Sequence, residues 1–110
     1  MTQITFYKTT AGEYREFICD GHAGYANHGE DIVCASISVL VINTINSLEQ
    51  ITGEKMRVVT DEDSGVIRCV FTNQPLKVTS KALMDSLVLG LTQIEKQYGN
   101  NYCKLTFKEV

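Results

Sequence analysis

The alternation of apolar and polar residues near the N-terminus is that of a half-buried β-strand. Within residues 2–9, Ile4 and Phe6 fall on one side and polar residues on the other. Residues 10–13 supply a turn, and a second strand is predicted from residue 14 to residue 20. The first twenty residues are therefore predicted to form a β-hairpin.

Two longer segments carry apolar residues at every third or fourth position, which is the spacing of amphipathic helices. The first runs over residues 32–52, with Asp31 as its predicted cap and Gly53 as its stop. The second runs over residues 77–98 and ends before Gly99. Both helices are expected to bury a wide apolar face.

The remaining apolar runs are short and rich in β-branched residues. Strands over 56–60 and 66–72 flank an acidic turn at 61–65, and a last strand covers 102–107. The element order is ββαββαβ. We therefore expect a single α+β domain over residues 1–110, with one mainly antiparallel sheet packed with two helices. The order of strands in the sheet is not predicted.

Composition narrows the possible partners. The chain has 110 residues and a formal net charge of −3, and its ten Lys and Arg residues are scattered. A domain that binds nucleic acid directly would normally cluster basic residues. Nucleic acid is therefore not expected as a direct partner of this chain. A mild negative charge suits a basic protein substrate.

The N-terminal residues resemble a strand, not a signal peptide. The longest apolar stretch, residues 32–42, contains two serines and is shorter than the roughly 18–20 residues that a membrane span requires. We therefore expect a cytoplasmic protein that does not contact a membrane. In a reducing compartment its four cysteines would be thiols, with Cys19, Cys69 and Cys103 as structural residues.

A glycine-rich loop joins the second strand to the first helix. It spans about ten residues, against the roughly 2–6 that are usual for such a connection, and contains both histidines of the chain. Loops of this excess length are usually functional or mobile.

Cys34 lies in the first turn of the predicted helix, where unpaired backbone N–H groups and the positive end of the dipole favour an anion. His22 precedes it by twelve positions, so the loop could bring the two side chains together. A thiolate and an imidazolium form the reactive pair of cysteine hydrolases. A buried thiol beside two unrelated loop histidines would give the same pattern.

The segment GHAGYANHGEDIVCASIS, residues 21–38, closely resembles the signature of the ribosomal-processing cysteine protease family, Prp. In that family a strand ends in D-G-H, a glycine-bearing loop follows, and G-x-D-I-V-C-A begins a helix. The corresponding residues here are 20–22 and 29–35. The resemblance extends over the whole chain in length and element order.

The resemblance implies a cysteine endopeptidase that removes a short N-terminal extension from large-subunit ribosomal protein twenty-seven during ribosome maturation, in bacteria of the Firmicutes type. His22 would be the general base, and Cys34 would attack the scissile carbonyl to form a thioester. Backbone N–H groups at the helix start, including that of Cys34, would stabilise the oxyanion. Neither a metal nor a cofactor is implied.

Four further residues match recurrent family positions or would shape the loop: Asp31, Ser38, Gly21 and Gly29. Asp31 is either a helix cap or a residue that orients His22, and Ser38 is either a site residue or a hydroxyl bonded back to its helix.

The resemblance also implies a homodimer and apolar pockets near Cys34. A buried helix in a monomer would show the same wide apolar face as a dimer helix. Tyr25, Phe17 or Met56 could line such a pocket, but ordinary core packing is the favoured role of all three, and no pocket residue is named.

Two other functions fit parts of the pattern. Cys19, His22, His28 and Cys34 have residue types that suit tetrahedral zinc, although their spacing matches no common zinc module. A non-enzymatic module that docks a basic ribosomal protein through an acidic face is the second alternative.

Overall fold

The fold was analysed in a computed structural model that describes residues 1–27 and 30–110. The strands are β1 (Thr2–Lys8), β2 (Tyr14–Asp20), β3 (Met56–Asp61), β4 (Val66–Phe71) and β5 (Cys103–Glu109). The helices are α1 (Ile32–Ser47), which a π-helical turn (Leu48–Thr52) extends, and α2 (Val78–Tyr98). The predicted ββαββαβ order is confirmed.

The five strands form one sheet in the order β3-β4-β2-β1-β5. Within the described residues, three neighbouring strand pairs are antiparallel, whereas β1 and β5 run parallel. The prediction of a mainly antiparallel sheet is therefore confirmed. Helix α2 carries the chain from β4 to the far edge of the sheet, where β5 adds beside β1.

The helices cover one face of the sheet incompletely. Directly paired residues lie on the same face, so Phe6, Phe17, Cys69 and Val58 form one row across β1, β2, β4 and β3. The first three are fully buried, whereas Val58 at the edge strand is 41% exposed. The inner face of β3 therefore remains open beside α1.

Helix α1 begins and ends where the sequence predicts. Asp31 is its N-cap, and Gly53 closes the π-helical turn in the left-handed conformation, at φ +65°. The combined helix, Ile32–Thr52, is long and apolar enough to cross a membrane by length and composition. This helix is longer than the apolar stretch 32–42, whose short length was the reason for expecting no membrane span. One side of it nevertheless lies in the protein core, as in a core helix of a soluble protein.

Three cysteines are structural, as expected. Cys19, Cys69 and Cys103 are buried among apolar residues. Burial raises the pKa of Cys19 and of Cys69 to about 12, and that of Cys103 to about 11. Because these thiols remain protonated near neutral pH, they act as small apolar groups.

Candidate active site

The position of His22 is set by the residue before it. Gly21 ends β2 at φ +94°, and its N–H donates to the Gly65 carbonyl at 3.1 Å. A β-carbon on Gly21 would lie 2.8 Å from the Met1 carbonyl oxygen, which is closer than real contacts allow. The backbone can therefore turn here only with glycine, and this turn directs the chain into the loop at His22.

The position of Cys34 is set by the cap of α1. Asp31 Oδ1 accepts the Cys34 N–H at 2.9 Å, which fixes the first helical turn. The Cys34 side chain is half-buried and lies in the first turn of α1, at the positive end of the helix dipole.

The structure brings His22 and Cys34 into one site. A cavity of about 440 Å³ and a second of about 410 Å³ meet there, and His22, Cys34 and Ser38 line both. The sequence could only permit this meeting, because the two side chains are twelve positions apart in the chain. Gly21 also lines the larger cavity. Gly29 and His28 lie outside the described residues.

The larger cavity is a mostly apolar groove between α1 and β3, here called the α1–β3 groove. Its apolar wall and floor combine residues of α1 with residues of the β3–β4 hairpin: Ile37, Ile42, Ile45, Val58 and Ile67. Asp61 and Glu62 border the same cavity at the hairpin turn. An apolar channel with an acidic rim thus leads away from Cys34.

Phe17 and Met56 pack in or against the core, which is the role that the sequence favoured for them. Phe17 is fully buried in the core, and Met56 contacts Cys69 through sulfur at 3.6 Å. The sequence did contain a signal for the groove, because Ser38, Ile42 and Ile45 follow Cys34 at helical intervals. Residues so spaced lie on the same side of α1 as Cys34.

Tyr25 ties the loop to the body of the protein. Its N–H donates to Asp31 Oδ2 at 2.9 Å. Its ring makes edge contacts with Tyr98 at a centroid distance of 5.6 Å and with Tyr102 at 5.2 Å. The loop is thereby attached to the cap of α1, the end of α2 and the segment before β5. We call these three tyrosines the tyrosine clamp.

Asp31 is a cap and a loop tether at once. Burial alone would raise its pKa, but hydrogen bonds from the backbone N–H groups of Cys34, Tyr25 and neighbouring residues outweigh that effect and lower the pKa. Both carboxylate oxygens bind backbone, which favours the capping role over the orientation of His22. The Cys34 N–H is therefore engaged by Asp31, contrary to its expected role as an oxyanion donor.

The zinc alternative has little support. The described residues, 1–27 and 30–110, contain no group of three His, Cys, Asp or Glu side chains that could hold a metal ion. Cys19 lines the groove from the buried side of β2 as a protonated thiol, and His28 is outside the described range. The expectation of a metal-free protein remains a prediction.

A thiol at a helix N-terminus and an imidazole that line the same apolar groove are the groups that a cysteine hydrolase uses. Comparison with known families decides which one, because the model of "Cysteine protease Prp" matches residues 1–103. The chain belongs to this family. It is therefore a cysteine protease. This family membership argues against the alternative of a non-enzymatic binding module.

Individual relatives match this chain over nearly its full length. The ribosomal processing cysteine protease Prp of Staphylococcus aureus is 30% identical over 99 residues, which cover 88% of this chain and 90% of the relative. That of Bacillus subtilis is 26% identical over 104 residues, which cover 92% and 93%. The crystal structure of the S. aureus enzyme with a covalently linked product peptide superposes with a TM-score of 0.87 at 24% identity, covering 98% of this chain and 100% of that one. This last match confirms the fold.

Proposed function

We propose that this chain removes the N-terminal extension of the precursor of large-subunit ribosomal protein twenty-seven, with Cys34 as nucleophile and His22 as general base. The observation that carries the proposal is that both side chains line the junction of the two cavities. The reaction would take place in the cytoplasm, where ribosomes mature. The relatives are named for ribosomal processing, which supports this substrate class.

The chemistry follows from the two side chains. The Cys34 thiolate attacks the scissile carbonyl carbon, and the carbonyl π electrons move to oxygen. The tetrahedral intermediate collapses to a thioester as the leaving amine takes a proton from the His22 imidazolium. Neutral His22 then removes a proton from water, and the resulting attack releases the acid and the Cys34 thiolate.

The positive end of α1 faces the region where the oxyanion forms. The dipole would stabilise the negative charge of the tetrahedral intermediate without any further side chain. Because Asp31 holds the Cys34 N–H at 2.9 Å, that donor becomes available only if the carboxylate moves. We therefore expect the helix dipole to contribute more to stabilisation of the oxyanion than the N–H of Cys34 does.

The α1–β3 groove fits the apolar residues of an extended peptide. It follows α1 from Cys34 to Asn46, which at 1.5 Å per residue is about 18 Å. An extended peptide covers that length with about five residues. Asp61 and Glu62 on the rim complement basic residues of a ribosomal protein precursor. In S. aureus the related enzyme has been crystallised with a covalently linked product peptide.

We further propose that the protein acts as a homodimer through the outer side of α1. Ile32 is 52% exposed and Val39 is 67% exposed, and the two residues lie seven positions, or about two helical turns, apart on one side of α1. Burial of such a stripe against a second copy would remove apolar surface from water. Sedimentation velocity should show a dimer that Val39→Lys converts to a monomer.

Incubation with the precursor ribosomal protein tests the proposed function. The wild type should shorten the precursor at one site, and His22→Ala and Cys34→Ser should leave it intact. Ser36→Ala is a matched control on α1, because the Ser36 hydroxyl bonds back to the Ile32 carbonyl at 2.7 Å. Cleavage by both site variants would overturn the His22–Cys34 pair. If the wild type and all three variants leave the precursor uncut, the proposed substrate is wrong.

A further inference from the structure

The β3–β4 turn ends in a glycine that touches the candidate general base. A β-carbon built on Gly65 would lie 3.0 Å from both Cε1 and Nε2 of His22. It would also lie 3.0 Å from the Gly21 carbonyl oxygen. Nearly all real β-carbon contacts are longer than this, so another residue fits here only if both the imidazole and the Gly21 carbonyl shift by a few tenths of an ångström.

The same glycine is tied to the backbone that carries His22. The Gly65 carbonyl accepts the Gly21 N–H at 3.1 Å, one residue before the histidine. The turn therefore fixes the backbone before the imidazole and closes one side of the ring. Gly65 also lines the α1–β3 groove together with His22 and Cys34.

We propose that Gly65 is a positioning residue for His22: its missing side chain sets where the imidazole edge rests, and thus its approach to Cys34. The proposal rests on the assignment of His22 as general base. A displacement of the imidazole by a fraction of an ångström should slow proton transfer, because transfer depends steeply on donor–acceptor geometry.

Backbone conformation offers a competing reason for glycine at this position. Gly65 has φ +71°, which by itself disfavours any L side chain. Gly12, in the β1–β2 turn, has φ +83°, and a β-carbon there would meet nothing within 4 Å. Alanine at Gly12 therefore reproduces the backbone strain without the contact, which makes it the matched control.

The test compares Gly65→Ala with Gly12→Ala in the full chain. The first measurement is the NMR signals of the two ¹⁵N-labelled histidine side chains, and the second is kcat and KM for a precursor peptide. We expect the His22 signals to shift only in Gly65→Ala, with kcat at least tenfold lower and KM changed less than threefold. Gly12→Ala should retain wild-type signals and kcat.

Two results would overturn the proposal: unchanged His22 signals in Gly65→Ala, or shifted signals with wild-type kcat. If Gly65→Ala does not fold, Gly65→Asn and Gly12→Asn replace the pair, since asparagine tolerates positive φ better and carries the same β-carbon. A failure of the proposed function appears in a different arm, as wild-type cleavage by His22→Ala, so the two failures are distinguishable.

Discussion

The carboxylate of Asp31 accepts the backbone N–H of Cys34 at 2.9 Å, so one side chain both caps α1 and fixes the candidate nucleophile. Its other oxygen accepts the N–H of Tyr25. The loop that carries His22 and the helix that carries Cys34 are thus joined through a single residue.

Two substitutions separate these roles of Asp31. Asp31→Ala removes cap and tether and should lower the free energy of unfolding by about 1 kcal/mol. Asp31→Asn keeps a cap oxygen for Cys34 but offers Tyr25 an NH₂ group that cannot accept its N–H. We therefore expect Asp31→Asn to retain most of the stability while losing peptidase activity, as measured by urea unfolding and peptide cleavage. Equal stability losses in both variants would contradict the capping role.

The stability contributed by Asp31 should depend on pH. Its pKa is lower in the folded protein than in the unfolded chain, so the unfolded chain binds the proton more readily as pH falls. The stabilisation is complete above the unfolded pKa of about 4 and disappears as pH falls through the folded pKa. The gap in unfolding free energy between wild type and Asp31→Ala should therefore shrink on acidification below about pH 4.

The tyrosine clamp predicts that the loop depends on the ring of Tyr25. Tyr25→Ala removes the edge contacts with Tyr98 and Tyr102, each of which contributes about 0.5–1.5 kcal/mol in such pairs. Amide hydrogen exchange should become faster in residues 22–27, and peptide cleavage should slow. Tyr25→Phe retains the ring and should behave as wild type. Unchanged exchange in Tyr25→Ala would show that the clamp does not hold the loop.

Neighbouring valines on β3 test the α1–β3 groove. Val58 lines the groove, whereas Val59 is on the opposite face of the sheet and is 61% exposed. Val58→Lys should raise KM for an apolar precursor peptide at least tenfold, because a charge would enter the apolar channel. Val59→Lys should leave KM unchanged. Equal effects of the two substitutions would place the peptide elsewhere.

The four thiols should differ sharply in reactivity. Burial raises the pKa of Cys19 and of Cys69 to about 12, and that of Cys103 to about 11, so iodoacetamide at neutral pH should modify Cys34 alone. Peptide mapping by mass spectrometry locates the adduct. Above about pH 8.5 the unfolded chain releases thiol protons that the fold retains, so stability should fall as pH rises towards 12. Rapid labelling of Cys69 in the folded protein would contradict this burial.

Periodicity predicted β1, β2, α1 and α2 because each of them buries one regular side, whereas β3 was recognised from its β-branched residues beside a turn. The stop of α1 at Gly53 and its cap at Asp31 follow from local chemistry alone. The strand order does not, because it depends on contacts between residues far apart in sequence. An apolar pocket near Cys34 was expected, but the residues that line it were not predicted, since Ile42 and Val58 meet only when β3 takes the edge of the sheet. The contact between Gly65 and His22 joins residues forty-three positions apart and has no local signature.

The central claim, that Cys34 carries the acyl group while His22 moves the protons, is tested most directly by trapping the intermediate. The protein is mixed with a precursor peptide, quenched in acid within one turnover, and weighed intact by mass spectrometry. The account predicts a peptide adduct on Cys34 that hydroxylamine removes, absent in Cys34→Ala and slow to form in His22→Ala. An adduct on another residue, or wild-type cleavage by Cys34→Ala, would contradict it.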